Sequence, residues 1–379
     1  MKIIYIKGAI DTQGGTARMI IEKANYISNH LGHEVTIITY NQYQKHAIVY
    51  PLEDSVKHIN LVIPFISEYS KHIFMRPWIK WMNNRMLYRK LSEVVRDIDP
   101  DILIGIAQCQ ADIVSKIKCR GKKIIECHEA KIFTLSGFGM NLSFLHRLNM
   151  SIKKYFYFKS IEKNADIIVT LTEGDKALWK RSKIVEVIPN FSTMRISQFS
   201  DCTSKRVISV GRLEWEKGYS RLIYAWKIVS AKHPDWQLDI FGEGEMEGVI
   251  RQLIKTNGVK NICIHKFTHD ISQEYAKSSI CALTSYYEGF SLILLEAQKH
   301  GVPCVAFDCP FGPRTIINDA YNGFLVENGD IRSFADRVCR LIENQDLRKQ
   351  FSQAGIEHAK NFDFRIIIQK WKELFDSLT

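Results

Sequence analysis

Glu288-Gly289-Phe290-Ser291-Leu292-Ile293-Leu294-Leu295-Glu296 sets two carboxylates on either side of a glycine and an apolar helix start. Ser291 is placed as the N-cap of a helix over Leu292 to Gln298, since a serine oxygen satisfies one of the amides that a helix start leaves without an acceptor. The amides of Gly289, Phe290 and Ser291 then gather at the positive helix end, a place suited to an anion. At 1.5 Å per residue Glu296 lies about 7.5 Å along the axis from Ser291, so the two acids address opposite sides of that anion. An amphipathic helix with one capping and one solvated glutamate has the same pattern, and the rest of the chain decides between them.

Upstream, Val207-Ile208-Ser209-Val210-Gly211-Arg212-Leu213-Glu214-Trp215-Glu216-Lys217-Gly218 reads as a strand, a glycine turn and a basic loop before a helix over Tyr219 to Lys232. Arg212 and Lys217 follow the carboxyl end of that strand, where open parallel sheets bind ligands, and two cations there would neutralise a diphosphate. The alternation extends in both directions. Strands are expected at Ile3–Ile6, Val35–Thr39, Ile59–Ile63, Ile102–Ile106, Lys123–Cys127 and Ile167–Leu171. After the polar stretch Ser197 to Lys205, which reads as a linker, they are expected at Val207–Val210, Gln237–Phe241, Ile262–His265, Ile280–Leu283, Pro303–Phe307 and Phe324–Val326. Helical intervals between them give the βαβ rhythm of two parallel sheets. The tail, Phe364 to Leu378, carries Ile366, Ile367, Trp371, Leu374 and Phe375 at the spacing of an amphipathic helix.

A chain of 379 residues with 46% hydrophobic content suits two domains of ordinary size. Its nine cysteines are odd in number and scattered without a C-x2-C pair, which fits a reducing compartment. The apolar run at Met1–Lys7 is too short for a signal peptide, and no stretch approaches the ~18 apolar residues of a membrane span. The expected protein is therefore cytoplasmic. The net charge of +11 is uneven: residues 1–190 hold 28 Lys+Arg against 18 Asp+Glu, whereas the remainder is nearly balanced. Such an excess points to an anionic partner, either a bilayer surface or a phosphate-bearing lipid. Nucleic acid is set aside, because no recognition motif accompanies the charge. Lys71 to Lys90 interleaves Arg76, Lys80, Arg85 and Arg89 with Trp78 and Trp81, and His146 to Lys163 is a second basic, aromatic stretch; both suit a helix lying in a bilayer interface, and a packed helix shows the same apolar stripe.

Five motifs in order carry a family resemblance: Gly14-Gly15 after the first strand, the Gly211-Arg212 to Lys217-Gly218 loop, Phe241-Gly242-Glu243-Gly244, the Glu288-x7-Glu296 element, and Gly323-Phe324-Leu325-Val326. Gly242-x-Gly244 alone fails the dinucleotide fingerprint for want of a third glycine. Together, and over nearly the whole length, the motifs resemble the retaining glycosyltransferases of family 4. The resemblance implies an α/β fold of two Rossmann-like domains facing across a cleft (GT-B): an acceptor domain over 1–196, a nucleotide-sugar domain over 205–362, and a last helix, 363–379, packing back on the first. It implies transfer of a sugar with retention, from a nucleotide-sugar expected to be UDP-linked to a glycan acceptor, lipid-linked through a polyprenyl diphosphate, in surface polysaccharide synthesis on the inner face of the cell membrane.

By the same resemblance Gly15 lies over the donor phosphates, Arg212 and Lys217 stabilise the departing diphosphate, Glu288 orients the sugar, and Glu296 holds the ribose. His128, after the strand ending at Cys127, donates a hydrogen bond to the transferred sugar, and the backbone from Phe267 to Ile271 meets the base. Asp308-Cys309-Pro310-Phe311-Gly312-Pro313-Arg314 resembles a segment of capsule and exopolysaccharide transferases and is expected to brace a loop. No cofactor and no metal are expected, since two cations balance the phosphates. A sugar-nucleotide epimerase, a phosphorylase, and a silent binding protein of the same fold are the alternatives.

Overall fold

The structure, a computed structural model, describes the chain apart from residues 12–13, 43–47, 68–74, 108–109, 134–143, 269 and 379, and the side chains of 144–146. Lys71 and Phe74 of the basic stretch thus lie outside the described residues. The chain divides into two units, Met1–Ile188 together with Ile368–Thr379, and Pro189–Ile367.

In the first unit the elements run β1 (Lys2–Lys7), α1 (Gly15–Leu31), β2 (Glu34–Thr39), β3 (Val56–Asn60), α2 (Arg76–Ile98), β4 (Ile102–Ile106), α3 (Ala111–Val114), β5 (Lys122–Glu126), α4 (Phe144–Asn164), β6 (Ile167–Thr170), α5 (Glu173–Lys176) and β7 (Ile184–Val187). The strands form one parallel sheet in the order β3-β2-β1-β4-β5-β6-β7. Its central strands are apolar without alternation because both faces are covered: Ile3, Ile4, Tyr5 and Ile6 are all fully buried. At the edges the sequence is a poorer guide. The third strand spans Val56–Asn60 rather than Ile59–Ile63, because its register pairs Val56 with Val35 and Asn60 with Thr39, while Val62 of the apolar run is left exposed. The edge strand β7 escapes a sequence reading altogether, its side chains being half-exposed or exposed throughout.

The second unit runs β8 (Arg206–Val210), α6 (Tyr219–Lys232), β9 (Gln237–Phe241), α7 (Glu247–Thr256), β10 (Ile262–His265), α8 (Ile271–Ala276), β11 (Ile280–Leu283), α9 (Leu292–Lys299), β12 (Cys304–Asp308), α10 (Pro313–Ile316), β13 (Gly323–Glu327), α11 (Ile331–Glu343) and α12 (Gln345–Ala359). Its parallel sheet is ordered β10-β9-β8-β11-β12-β13, over a core that includes Leu238, Ile240, Trp226, Phe307, Phe324 and Phe334. The stretch Ser197 to Lys205 is fastened to this unit. Ser200 Oγ donates to the Ser278 carbonyl at 2.6 Å, its amide donates to the His300 carbonyl at 2.8 Å, and the buried Arg348 donates to the Cys202 carbonyl at 3.0 Å.

A last helix, α13 (Phe364–Asp376), begins in the second unit and ends in the first. Ile367, Trp371, Leu374 and Phe375 are buried, and Ile366 faces outward. The Trp371 ring lies 4.2 Å from the Lys23 ammonium of α1. Both sheets and the helices over them make this an α/β fold of two Rossmann-like units.

Candidate functional site

In the second sheet β8 and β11 are neighbours, with β9 and β10 continuing on one side and β12 and β13 on the other. Strand order reverses there, and ligands of open parallel sheets bind outside the carboxyl ends at such a point. The loop carrying Arg212 and Lys217 leaves β8, and the loop carrying Glu288 leaves β11. Glycine lets these loops touch. A Cβ on Gly242 would stand 1.9 Å from the Gly211 carbonyl oxygen, and one on Gly218, held at φ 65°, 2.2 Å from that of Thr284. Trp215 stacks on Tyr286 at 4.2 Å with the rings 5° apart, the Tyr286 amide donates to the Glu216 carbonyl at 2.8 Å, and the Arg221 guanidinium sits 3.5 Å from the Tyr286 ring centre.

This bracing joins residues 71 positions apart: Lys217 Nζ meets Glu288 Oε1 at 2.8 Å, and Ser285 Oγ donates to the same oxygen at 2.6 Å. Both side chains are largely buried. Arg212, in contrast, points outward, its side chain 62% exposed, and donates to Glu216 Oε1 at 2.8 Å.

The expected serine cap does not form. Ser291 occupies the N-cap position of α9, yet at φ 68°, ψ 62°, and its side chain accepts no amide. Capping by a side-chain oxygen needs an extended N-cap backbone, which the left-handed turn replaces. Ser291 Oγ is buried and has no hydrogen-bond partner. The loop after β12 explains the shape of this turn: Glu288 forms an isolated parallel bridge with Phe311, itself at φ 76°, and a Cβ on Gly312 would lie 2.7 Å from both Glu288 Cβ and Ser291 Oγ. Arg314 grips Asp308, closing the loop. The Asp308–Arg314 segment therefore touches the site itself, and the spacing of Pro310, Gly312 and Pro313 was its only signal in the sequence.

Gly289 and Phe290 complete the turn, with the Phe290 side chain buried against Phe362 at 5.4 Å between ring centres. Glu296, four residues into α9, is buried and accepts from Ser192 Oγ at 3.5 Å. Phe267, just after β10, is 37% exposed. Among the described residues one trio has metal-ligand spacing, Asp239, Cys263 and His265. Its carboxylate is engaged by Arg206, by Gln237 at 2.8 Å and by His265 at 2.7 Å.

The first sheet reverses its order between β1 and β4. Gly14 caps α1 and Gly15 is its first residue, so the helix start lies directly beyond β1. His128 follows β5. Its Nε2 lies 2.9 Å from Glu126 Oε2, the oxygen that also binds Lys23 Nζ, and all three side chains are buried. Burial alone would raise the Glu126 pKa, but the Lys23 charge and the His128 bond outweigh it and hold the carboxyl low. Burial lowers the His128 pKa against the pull of Glu126. An ionised carboxylate only accepts, so the proton of the neutral ring sits on Nε2 and Nδ1 carries a lone pair. Nδ1 is buried without a hydrogen-bond partner. Glu126 Oε1 and Tyr5 OH are likewise buried without a partner.

With this geometry established, similarity to known proteins takes on a definite location. Over 99% of both chains, this one is 28% identical to the amylovoran biosynthesis glycosyltransferase AmsD of Erwinia amylovora. A solved structure of S. aureus TarM, with fondaparinux, α-GlcNAc-glycerol and UDP, superposes with a TM-score of 0.78 at 16% identity, covering 99% of each chain. Anabaena HepE with UDP and glucose does so at 0.74 and 18%, covering 100% of each. Residues 190–358, the segment that holds the Lys217–Glu288 pair, match the family described as glycosyl transferases group 1.

Proposed function

We propose that the protein transfers a sugar from a UDP-linked donor to a glycan acceptor, with retention of configuration, in the synthesis of a surface polysaccharide. The observation that carries this reading is the Lys217–Glu288 pair at the β8/β11 reversal, beside a helix start whose first amides have no intrahelical acceptor. A diphosphate arriving there draws Lys217 and Arg212 onto its oxygens, and α9 adds its positive end. Glu288, released from Lys217, accepts hydrogen bonds from the sugar hydroxyls. Glu296 holds the ribose, Phe267 and the backbone after it meet the base, and Gly15 at the start of α1 contributes to the phosphates. His128 takes a hydroxyl hydrogen bond at Nδ1. The cations and amides do the work of a metal, so none is required. The first unit takes the acceptor, a lipid-linked glycan, at the anionic membrane surface that the +10 of residues 1–190 favours.

A panel of nucleotide-sugars, with product anomer and linkage determined, tests the reading. Lys217→Ala and Arg212→Ala are each expected to slow transfer roughly 10²–10³-fold, the usual loss of one preorganised charge contact. Glu288→Gln should lower mainly kcat, whereas Glu296→Gln should also weaken donor binding. Activity should persist in excess chelator. Near-normal transfer by both cation variants, or loss in chelator restored by magnesium or manganese, contradicts the scheme.

A further inference from the structure

Two helices of the first unit carry apolar side chains that its core does not use. In α2 the buried residues are Ile79, Asn83, Leu87, Leu91 and Val95, a stripe at every fourth position. Trp78 and Trp81 lie off that stripe and are 55% and 53% exposed. In α4 the core takes Phe158 and Ile161, while Leu148, Ile152, Tyr155 and Phe156 stand outside, Phe156 at 62% exposure. Steps of four, three and one residues keep those four within about 100° of arc, so they form one outward stripe. A helix packed on a sheet by one face is ordinarily polar on the other.

The charge around these stripes is predominantly positive, with Glu93 paired to Arg89 and Lys90 at the far end of the first stretch. No carboxylate occurs from Met75 to Ser92 or from Arg147 to Ile161, whereas the first stretch carries Arg76, Lys80, Arg85, Arg89 and Lys90 and the second Arg147, Lys153, Lys154 and Lys159. Beside Tyr155 a cavity of about 330 Å³ is lined by Lys131, Lys159, Lys180 and Arg181, with Glu162 bound to Lys131 at 2.6 Å.

Topology places both stripes together. The helices α2, α3 and α4 link successive strands toward β6, and α3 packs against both its neighbours, so the three form one layer. Each leaves the carboxyl edge of a parallel sheet, so the early turns of α2 and α4 sit at the same edge. Two helix spacings put them on the order of 20 Å apart.

We propose that the outward side of the first turns of α2 and the outward stripe of α4 from Leu148 to its middle at Phe156 form a single face that docks on an anionic lipid bilayer, with Trp78, Trp81, Tyr155 and Phe156 entering the headgroup layer and the cation-lined cavity taking a lipid phosphate. This locates the membrane contact of the proposed function and rests on it only in that respect. Aromatic side chains anchor at the interface and basic ones are drawn by the surface potential, which accounts for both compositions at once.

The test is co-sedimentation with vesicles of phosphatidylcholine containing or lacking phosphatidylglycerol, at low and high salt. Wild type should bind the anionic vesicles at low salt, lose at least tenfold in affinity at high salt, and ignore the neutral ones. Trp78→Ala with Trp81→Ala, Tyr155→Ala with Phe156→Ala, and Lys180→Glu with Arg181→Glu should each reduce binding tenfold or more, with circular dichroism melting unchanged. Failure of wild type to bind, equal binding by all variants, or an effect confined to one helix overturns the single face. UDP binding followed in the same variants separates the two ideas: it is expected to stay intact, and its absence in wild type counts against the donor site and not against the docking face.

Discussion

At the residue scale, the buried trio of Lys23, Glu126 and His128 is the most demanding feature of the first unit. Removing one partner of a buried ion pair leaves the other charge uncompensated, which costs about 3–5 kcal/mol, while replacing both by apolar groups of similar size is often neutral. Lys23→Met and Glu126→Gln should therefore each destabilise strongly, and the double variant should recover most of the loss, as read by denaturant unfolding in a double-mutant cycle. The pH dependence has a definite sign. His128 is held below its ordinary value near 6.5, so the unfolded chain binds more protons as acid is added, and the stability present above that pH is lost as the pH falls below it. His33, His58 and His300 are lowered by burial in the same sense. The melting temperature should therefore rise from pH 5.5 to 7, less steeply in His128→Asn; an unchanged slope in that variant would show that His128 titrates normally.

At the scale of elements, the turn into α9 holds two left-handed residues, Ser291 and, across from it, Phe311. An L-residue in that conformation costs about 1–2 kcal/mol, a strain that concentrates where a site is shaped. Ser291→Gly should stabilise the second unit by about 1 kcal/mol, read as a higher denaturant midpoint, and Ser291→Val should lower that midpoint. Gly312→Ala, with a Cβ pressed on Glu288 and Ser291, should weaken UDP binding in calorimetry even where folding survives. If Ser291→Gly destabilises, the unpartnered Oγ has a role in the fold that strain does not capture.

The same elements show what the sequence makes legible. The central strands of both sheets were readable because covered faces demand apolar runs, and Ile102–Ile106, Gln237–Phe241 and Ile280–Leu283 fall where expected. Edge strands β3 and β7 obey a weaker rule, one buried face or none, and were misplaced or missed. Among site residues, the loop positions of Lys217 and Glu288 could be placed from strand ends, but their ion pair could not, because it depends on glycine packing between three loops. Ser291 was misjudged because residue type suggests a cap while backbone conformation, set by the loop after β12, forbids it.

At the scale of the whole molecule, the first unit is discontinuous in sequence: it comprises Met1–Ile188 and the segment from Ile368 onward. Deleting residues 368–379 removes the Trp371 ring from over Lys23, together with buried Leu374 and Phe375. Burying one large apolar side chain contributes about 1.5–3 kcal/mol, so the loss amounts to several kcal/mol. Hydrogen exchange is expected to accelerate in α1 and β1 of the truncated protein while β8, β9 and β11 keep their protection. Equal protection in both units would mean that the terminal segment contributes little to the first.

That discontinuity also sets a schedule for biosynthesis. When Ile188 leaves the ribosome, the first unit still lacks its closing segment, and about 180 further residues must be made before Ile368 appears. At ~5–20 residues per second the interval is roughly 10–40 s, far longer than the folding of most small domains. The second unit, continuous from Pro189 to Ile367, is complete as soon as it emerges. The order of completion thus inverts the order of synthesis, and during the interval the nascent first unit, with the Lys23 pocket unroofed, is the part of the chain most in need of a chaperone.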